Sequence, residues 1–197
     1  MSIVVEHEKR REEILEKALD VFTDEGYENT TLTKIAERCA ITRTTLYLYF
    51  KNKKDIFNYS IKQLLEKVEK DILCIKENRE LNYVEKLANV LLVILDRLEE
   101  SRRLLPVILD FLLNLSKNGV NPDNRVRRRT VRLRRILAAM MIEGIKAGEI
   151  APVNVRAADD LLYGTIEAAI FRLAVLKRVS IDELRQAAVL AAALTSR

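Results

Sequence analysis

The sequence predicts an all-α fold of about nine helices. Three observations carry this. The 197 residues include only five Gly and three Pro, too few turn formers for a many-stranded sheet. Hydrophobic residues make up 49% and recur three and four apart instead of alternating. Successive apolar-periodic runs are opened by Ser, Thr or Asn, and several are closed by Gly, as helices are.

The first predicted helix covers roughly residues 6–25, with Ile14, Leu15, Ala18, Leu19 and Phe22 on one face. Gly26 follows as a C′ residue, where positive φ is required. Thr31 is the N-cap of a short second helix whose stripe is Leu32, Ile35, Ala36 and Cys39. A turn at 40–42 leads to a third helix over 43–50, with Leu46 and Phe50 pointing the same way. Asn52, with Asp55 three residues on, opens a long fourth helix reaching about 78. Its buried side is Ile56, Phe57, Ser60, Ile61, Leu64, Leu65, Val68 and Ile72.

Five more helices follow. The spacing predicts them over 81–98, 101–117 with Pro106 in its first turns, 124–147 ended by Gly148, 154–178 opened by Asn154, and a last one opened by the S-x-x-E box Ser180/Glu183. The domain boundary is expected inside or just after the fourth helix, giving segments 8–68 and 69–197.

Composition narrows the function. Cys39 and Cys74 both fall in helical patterns and read as small buried residues. With one histidine, His7, in the frayed start of the first helix, they make no structural zinc site. No cofactor or metal is expected. No apolar run reaches about 18 residues, and the opening "MSIVV" is too short for a signal core. A reduced cytoplasmic setting fits best. No Gly-rich phosphate loop or nucleophile–base set is visible, so an enzyme is the least supported reading.

The net charge of +5 is unevenly spread: −1 over residues 1–55, −2 over 56–100 and +8 over 101–197. Bulk charge does not mark the N-terminal part as a nucleic-acid binder. Locally, however, residues 34–54 hold six bases and one acid, Glu37, a patch of the kind phosphate contacts require.

That patch surrounds two short helices joined by a tight turn, a helix-turn-helix candidate. If Leu46 and Phe50 face inward, Thr44, Thr45, Tyr47 and Leu48 face outward, and Thr42 and Arg43 project from the N-terminal end, the end that meets base edges. Arg43 can reach guanine O6 and N7 together, and Thr44, Thr45 and Leu48 suit hydroxyl-accepting edges or a thymine methyl. Tyr47 has a phenol tip suited to a phosphate. Lys53 lies beside the free N–H groups of the fourth helix.

The stretch "TTLTKIAERCAITRTTLYLYFKNKKDIF" resembles the DNA-binding region of TetR-family transcriptional regulators. The matching elements are Thr31, Ile35–Ala36, Ile41, the run from Thr45 to Phe50, and Asn52–Lys53–Lys54–Asp55–Ile56. "ILEKALDVFTDEGYENTT" also resembles the family's first helix and turn. The resemblance covers about residues 8–68; beyond them it is architectural. It implies backbone contacts from Thr33, Lys34, Tyr47 and Lys53, base-facing Thr42, Arg43, Thr44 and Thr45, and a phosphate or supporting role for Tyr49. It departs at Ala40, where the family usually has Gly, at a cost of about 1 kcal/mol if the turn needs positive φ.

One helix-turn-helix binds weakly; two, about 34–36 Å apart, read a palindromic site. A homodimer is therefore expected, through the last two helices, with Gly164, Ala168, Phe171, Ala188 and Ala192 at the contact. A small-molecule effector is expected among the C-terminal helices. Asp110, Asn114, Tyr163 and Glu167 are the polar candidates on apolar helices. Seven arginines crowd residues 125–135, with Arg125, Arg128, Arg132 and Arg135 on one stripe. This is either a solvated face, a site for an anionic effector such as an acyl-CoA or nucleotide, or a supplement to contact with flanking DNA. The expected function is a DNA-binding repressor released by that effector. The alternative is a helical partner-binding protein whose N-terminal motif no longer binds DNA.

Overall fold

A computed structural model describes the backbone of residues 2–119 and 123–193, and the side chains of 5–119, 128 and 130–193. The described residues form α1 Ser2–Asn29, α2 Leu32–Arg38, α3 Arg43–Tyr49, α4 Lys53–Glu77, α5 Tyr83–Glu100, α6 Leu105–Lys117, α7 Asp123–Ala147, α8 Val155–Ala174 and α9 Asp182–Ala193. They divide into two compact units, Met1–Lys67 and Val68–Arg197, with the division inside α4.

In the first unit, Ile14, Leu15, Ala18 and Phe22 of α1 pack with Ile35, Ala36, Leu46, Phe50, Ile56 and Phe57, all buried. Gly26 takes φ 78° within the continuous span of α1, so the break predicted after residue 25 is a kink, and helical turns resume to Asn29. Rings lock the segment after the kink. Phe57 meets Phe22 edge-on at 4.8 Å and Tyr27 at 5.0 Å. Buried Thr30 donates its hydroxyl to the Gly26 carbonyl at 2.7 Å. Ser60 donates to the Leu15 carbonyl at 2.9 Å, tying α4 to α1.

The turn after α2 is a Schellman motif. Ile41 N–H bonds to the Ala36 carbonyl and Ala40 N–H to that of Glu37, each at 3.0 Å. The motif places C′ in the left-handed region, and Ala40 has φ 53°. The same pattern closes α7: Gly148 N–H bonds to the Ile145 carbonyl and Glu149 N–H to that of Gly144.

In the second unit, α5 supplies the centre of the core. Leu87, Val90, Leu91 and Leu95 pack with Leu137, Met140 and Met141 of α7, Leu162, Ile166 and Ala169 of α8, and Leu184, Ala188 and Ala192 of α9. Gly144 permits a close approach, because a Cβ there would lie 2.6 Å from Ile150 Cδ1. Arg185 clasps α9 to α5, donating to Glu99 at 2.5 Å, Asp96 at 2.9 Å and Asp182 at 2.7 Å. The bonds to Glu99 and Asp96 raise the guanidinium pKa further, so it stays charged.

Several expectations need correction. Cys74 is exposed; only Cys39 is buried. The sixth helix begins at Leu105, after a turn over residues 101–104. The eighth ends at Ala174, not 178. The Ser180/Glu183 box is not made: Ser180 Oγ accepts from Asp182 N–H, and Glu183 pairs with Arg172 at 3.0 Å. Ala188 and Ala192 are fully buried in the chain's own core, sharing the inward stripe of α9 with Leu184 and Ala191. The outward apolar residues of α9 are Val189 and Leu190.

Two stability measurements follow. Ala40→Gly removes the strain of a left-handed Ala and is expected to raise unfolding free energy by about 0.5–1 kcal/mol in urea titration. Arg185→Ala leaves half-buried Glu99 without its cation and is expected to cost about 2 kcal/mol in the same assay.

Candidate nucleic-acid interface

Helix α3 has seven residues and one fully buried side chain, Leu46. Its start is fixed by Thr42, whose Oγ1 accepts from Thr45 N–H at 3.0 Å and lies 2.9 Å from Thr45 Oγ1. Sequence reasoning assigned both threonines to base contact and missed this cap. Its signature, Thr three residues before another hydrogen-bonding side chain, is in the sequence. Thr44 is the exposed threonine inside the helix, beside exposed Arg43. Tyr47 and Leu48 are large side chains left 50% and 74% exposed side by side. The outward surface of α3 is therefore Arg43, Thr44, Tyr47 and Leu48; Thr45, which the helical phase also placed outward, is half-buried against the Thr42 cap.

Neighbouring helices present the backbone-contact candidates. Thr31 Oγ1 caps α2 by accepting from Lys34 N–H at 3.2 Å, and Thr33 is exposed on its first turn. Asn52 Oδ1 accepts from Asp55 N–H at 2.8 Å, opening α4 as expected.

Two lysines have local partners that sequence spacing did not reveal. Lys34 Nζ bonds to Glu25 at 2.8 Å. Lys53 Nζ donates to the Tyr27 carbonyl at 2.8 Å and the Glu28 carbonyl at 3.0 Å, and lies 4.6 Å from the Tyr27 ring centroid. Lys53 thus closes the C-terminal end of α1 with two of its three N–H bonds. Arg38 pairs with Asp24. Among the described residues no ion pair joins Arg43 of α3, Lys51 of the loop leaving it or Lys54 of the first turn of α4.

Tyr49 is half-buried. Its ring stacks on His7, with centroids 4.5 Å apart and planes at 23°. Sequence reasoning placed His7 in a frayed end and missed this, since nothing in a spacing of 42 residues signals it. Cys39 serves the core: burial raises its thiol pKa against the pull of Lys17, Arg10 and Arg38, and Sγ faces the Ile14 carbonyl at 3.9 Å.

The four effector candidates are dispersed. Asp110 and Glu167 are exposed, and Asn114 is half-buried. Tyr163 Oη lies 3.1 Å from Thr130 Oγ1, with the Arg134 guanidinium 5.6 Å from its ring centroid. Arg134 in turn pairs with Asp159 at 2.6 Å and with Asp160. A separate groove of about 410 Å³ is lined by Asp71, Cys74, Ile75, Val93, Asp96, Arg97 and Glu100, and by none of the four. Of the arginine stripe, Arg128 and Arg135 are exposed and Arg132 pairs with Glu69. The side chain of Arg125 lies outside the described residues. No helix among the described residues is long and apolar enough to cross a membrane.

Of the dimer candidates, Gly164, Ala168 and Phe171 share one stripe of α8 with Leu161 and Val175. Leu161, Phe171 and Val175 are each more than half exposed, and the missing Cβ of Gly164 faces open space.

Comparison with known proteins gives this geometry a context. The family described as bacterial regulatory proteins, tetR family, matches residues 14–59, which span the core of α1 through the first turns of α4. The Fatty acid metabolism regulator protein of Bacillus subtilis (strain 168) is 31% identical over 163 residues, 80% of each chain. A TetR transcription regulator from Haloarcula marismortui superposes with a TM-score of 0.83 at 21% identity, covering 96% of this chain and all of that one. The transcriptional regulator FadR from Bacillus subtilis, solved in complex with stearoyl-CoA, superposes at 0.67 with 27% identity, covering 93% and 96%. With that identity sustained well beyond the capped helix pair, the chain belongs to the tetR family of bacterial regulatory proteins and is a DNA-binding transcriptional regulator.

Proposed function

We propose that the protein is a cytoplasmic repressor that binds a palindromic duplex operator as a homodimer and is released by an acyl-coenzyme A. The observation that carries the DNA half is the bare surface of α3: Arg43, Thr44, Tyr47 and Leu48 are exposed, while nearby Lys34 and Arg38 are neutralised by Glu25 and Asp24. On this reading Arg43 donates two N–H bonds to a guanine in the major groove, with Thr44, Thr45 and Leu48 beside it and Thr42 setting the helix start. Thr33, Tyr47, Tyr49 and the free N–H bonds of Lys34 and Lys53 then meet backbone phosphates, which position without specifying sequence.

The α8 stripe of Leu161, Gly164, Ala168, Phe171 and Val175, with Val189 and Leu190 of α9, supports pairing with a second copy. An acyl-CoA is favoured by the relative solved with stearoyl-CoA and by exposed Arg128 and Arg135, which suit a phosphorylated head group. Ligand and operator then oppose each other by differential affinity for two conformations.

Duplexes selected from a random pool provide the probe. Arg43→Ala is expected to weaken binding to the selected site by about 5- to 150-fold, the range for one bidentate base contact. Stearoyl-CoA is expected to release the wild-type complex in fluorescence anisotropy, and Arg128→Ala with Arg135→Ala to raise the concentration required. Failure to select any duplex at low ionic strength, from a chain that sediments as a monomer, would favour the partner-binding alternative. Release unaffected by any acyl-CoA would remove that effector class alone.

A further inference from the structure

The opening turns of α1 reach both ends of α3. His7, Arg10 and Arg11 are spaced i, i+3 and i+4, so they lie along one face of α1. Arg10 Nη2 donates to the Cys39 carbonyl at 3.4 Å, in the turn that enters α3, while Nη1 holds Glu13 at 2.8 Å. The Arg11 guanidinium sits 5.2 Å from the Phe50 ring centroid and 4.4 Å from that of Tyr59, just beyond the exit of α3. His7 stacks on Tyr49, the last residue of α3. Its ring is exposed, so it adds little to the core.

What the stack does supply is the orientation of Tyr49. That residue sits where the backbone leaves the helix, since Phe50 is extended at φ −142° and ψ 139°. A half-exposed phenol at a helix end has rotamer freedom to lose on binding. The imidazole covers one face of the ring and removes that freedom beforehand. Arg11, over Phe50, braces the next residue from the same face of α1.

We infer that His7 is a positioning residue for duplex binding: its ring, stacked on Tyr49, holds the phenol at the end of the recognition helix ready for a backbone phosphate. This rests on the reading of α3 as the recognition helix and of Tyr49 as a phosphate contact. The contribution is aromatic and steric, so Phe can replace His and Ala cannot.

Anisotropy titrations on the selected duplex test this with His7→Ala, His7→Phe, Tyr49→Ala and the His7→Ala/Tyr49→Ala double variant of the full chain. His7→Ala is expected to weaken binding about three- to tenfold, the scale of one aromatic pair, with an unchanged thermal midpoint. His7→Phe is expected to restore wild-type affinity, and the double variant to bind no worse than Tyr49→Ala alone. Wild-type affinity in His7→Ala overturns the inference. So does an affinity in His7→Phe as low as in His7→Ala, or additive losses in the double variant. Arg43→Ala separates the two levels. If it abolishes selective binding while His7→Ala changes nothing, only the role of His7 falls. If Arg43→Ala also leaves binding intact, the reading of α3 itself falls.

Discussion

A seven-residue helix does not persist alone in water. Burying Leu46 supplies about 2 kcal/mol, whereas fixing seven backbone residues costs about 7–14 kcal/mol. The first unit is organised around that deficit, because α3 must be held while its outer surface stays bare. The support comes from its ends and from beneath. Thr42 caps the start, the Schellman turn at Ala40 delivers the chain at a fixed angle, and Phe50 buries itself immediately after the last turn. Helix α2 packs against α3, and in the same unit Phe22, Tyr27 and Phe57 form a ring cluster, with Lys53 closing the end of α1.

The same economy governs charge. A unit with no net charge over residues 1–67 can still present a positive surface, because fields decay over about 8 Å at physiological salt and only local imbalance is felt. Asp24 and Glu25 of α1 cancel Arg38 and Lys34 of α2. Among the described residues no ion pair reaches Arg43, Lys51 or Lys54, so three unpaired cations stand on the reading helix, in its exit loop and in the first turn of α4.

Local signals were legible in the sequence. Helical period placed α2, α3 and α4, the Thr31 and Asn52 caps could be read from residue type, and the left-handed Ala40 was anticipated from a turn that ordinarily calls for glycine. What escaped was the choice of partner across long separations. Lys53 could have faced solvent, but it reaches the carbonyls of Tyr27 and Glu28; His7 could have frayed, but it meets Tyr49. The alanines of α9 were misassigned for a related reason. Ala carries too little hydrophobic contrast to show which side of a helix faces inward, so Ala188 and Ala192 gave no warning that Leu184 had already claimed their side for the core. Ser180 and Glu183 satisfied a capping pattern by type, yet Arg172 offered the glutamate a charged alternative.

The two thiols differ sharply in access: Cys39 is sealed in the first unit and Cys74 is exposed near the end of α4. A maleimide spin label should therefore attach at one point per chain without substitution of any residue. In a pair of chains, two such labels define a single intermolecular vector, readable by pulsed electron resonance with and without ligand. The native molecule carries its own ruler for the separation of two copies.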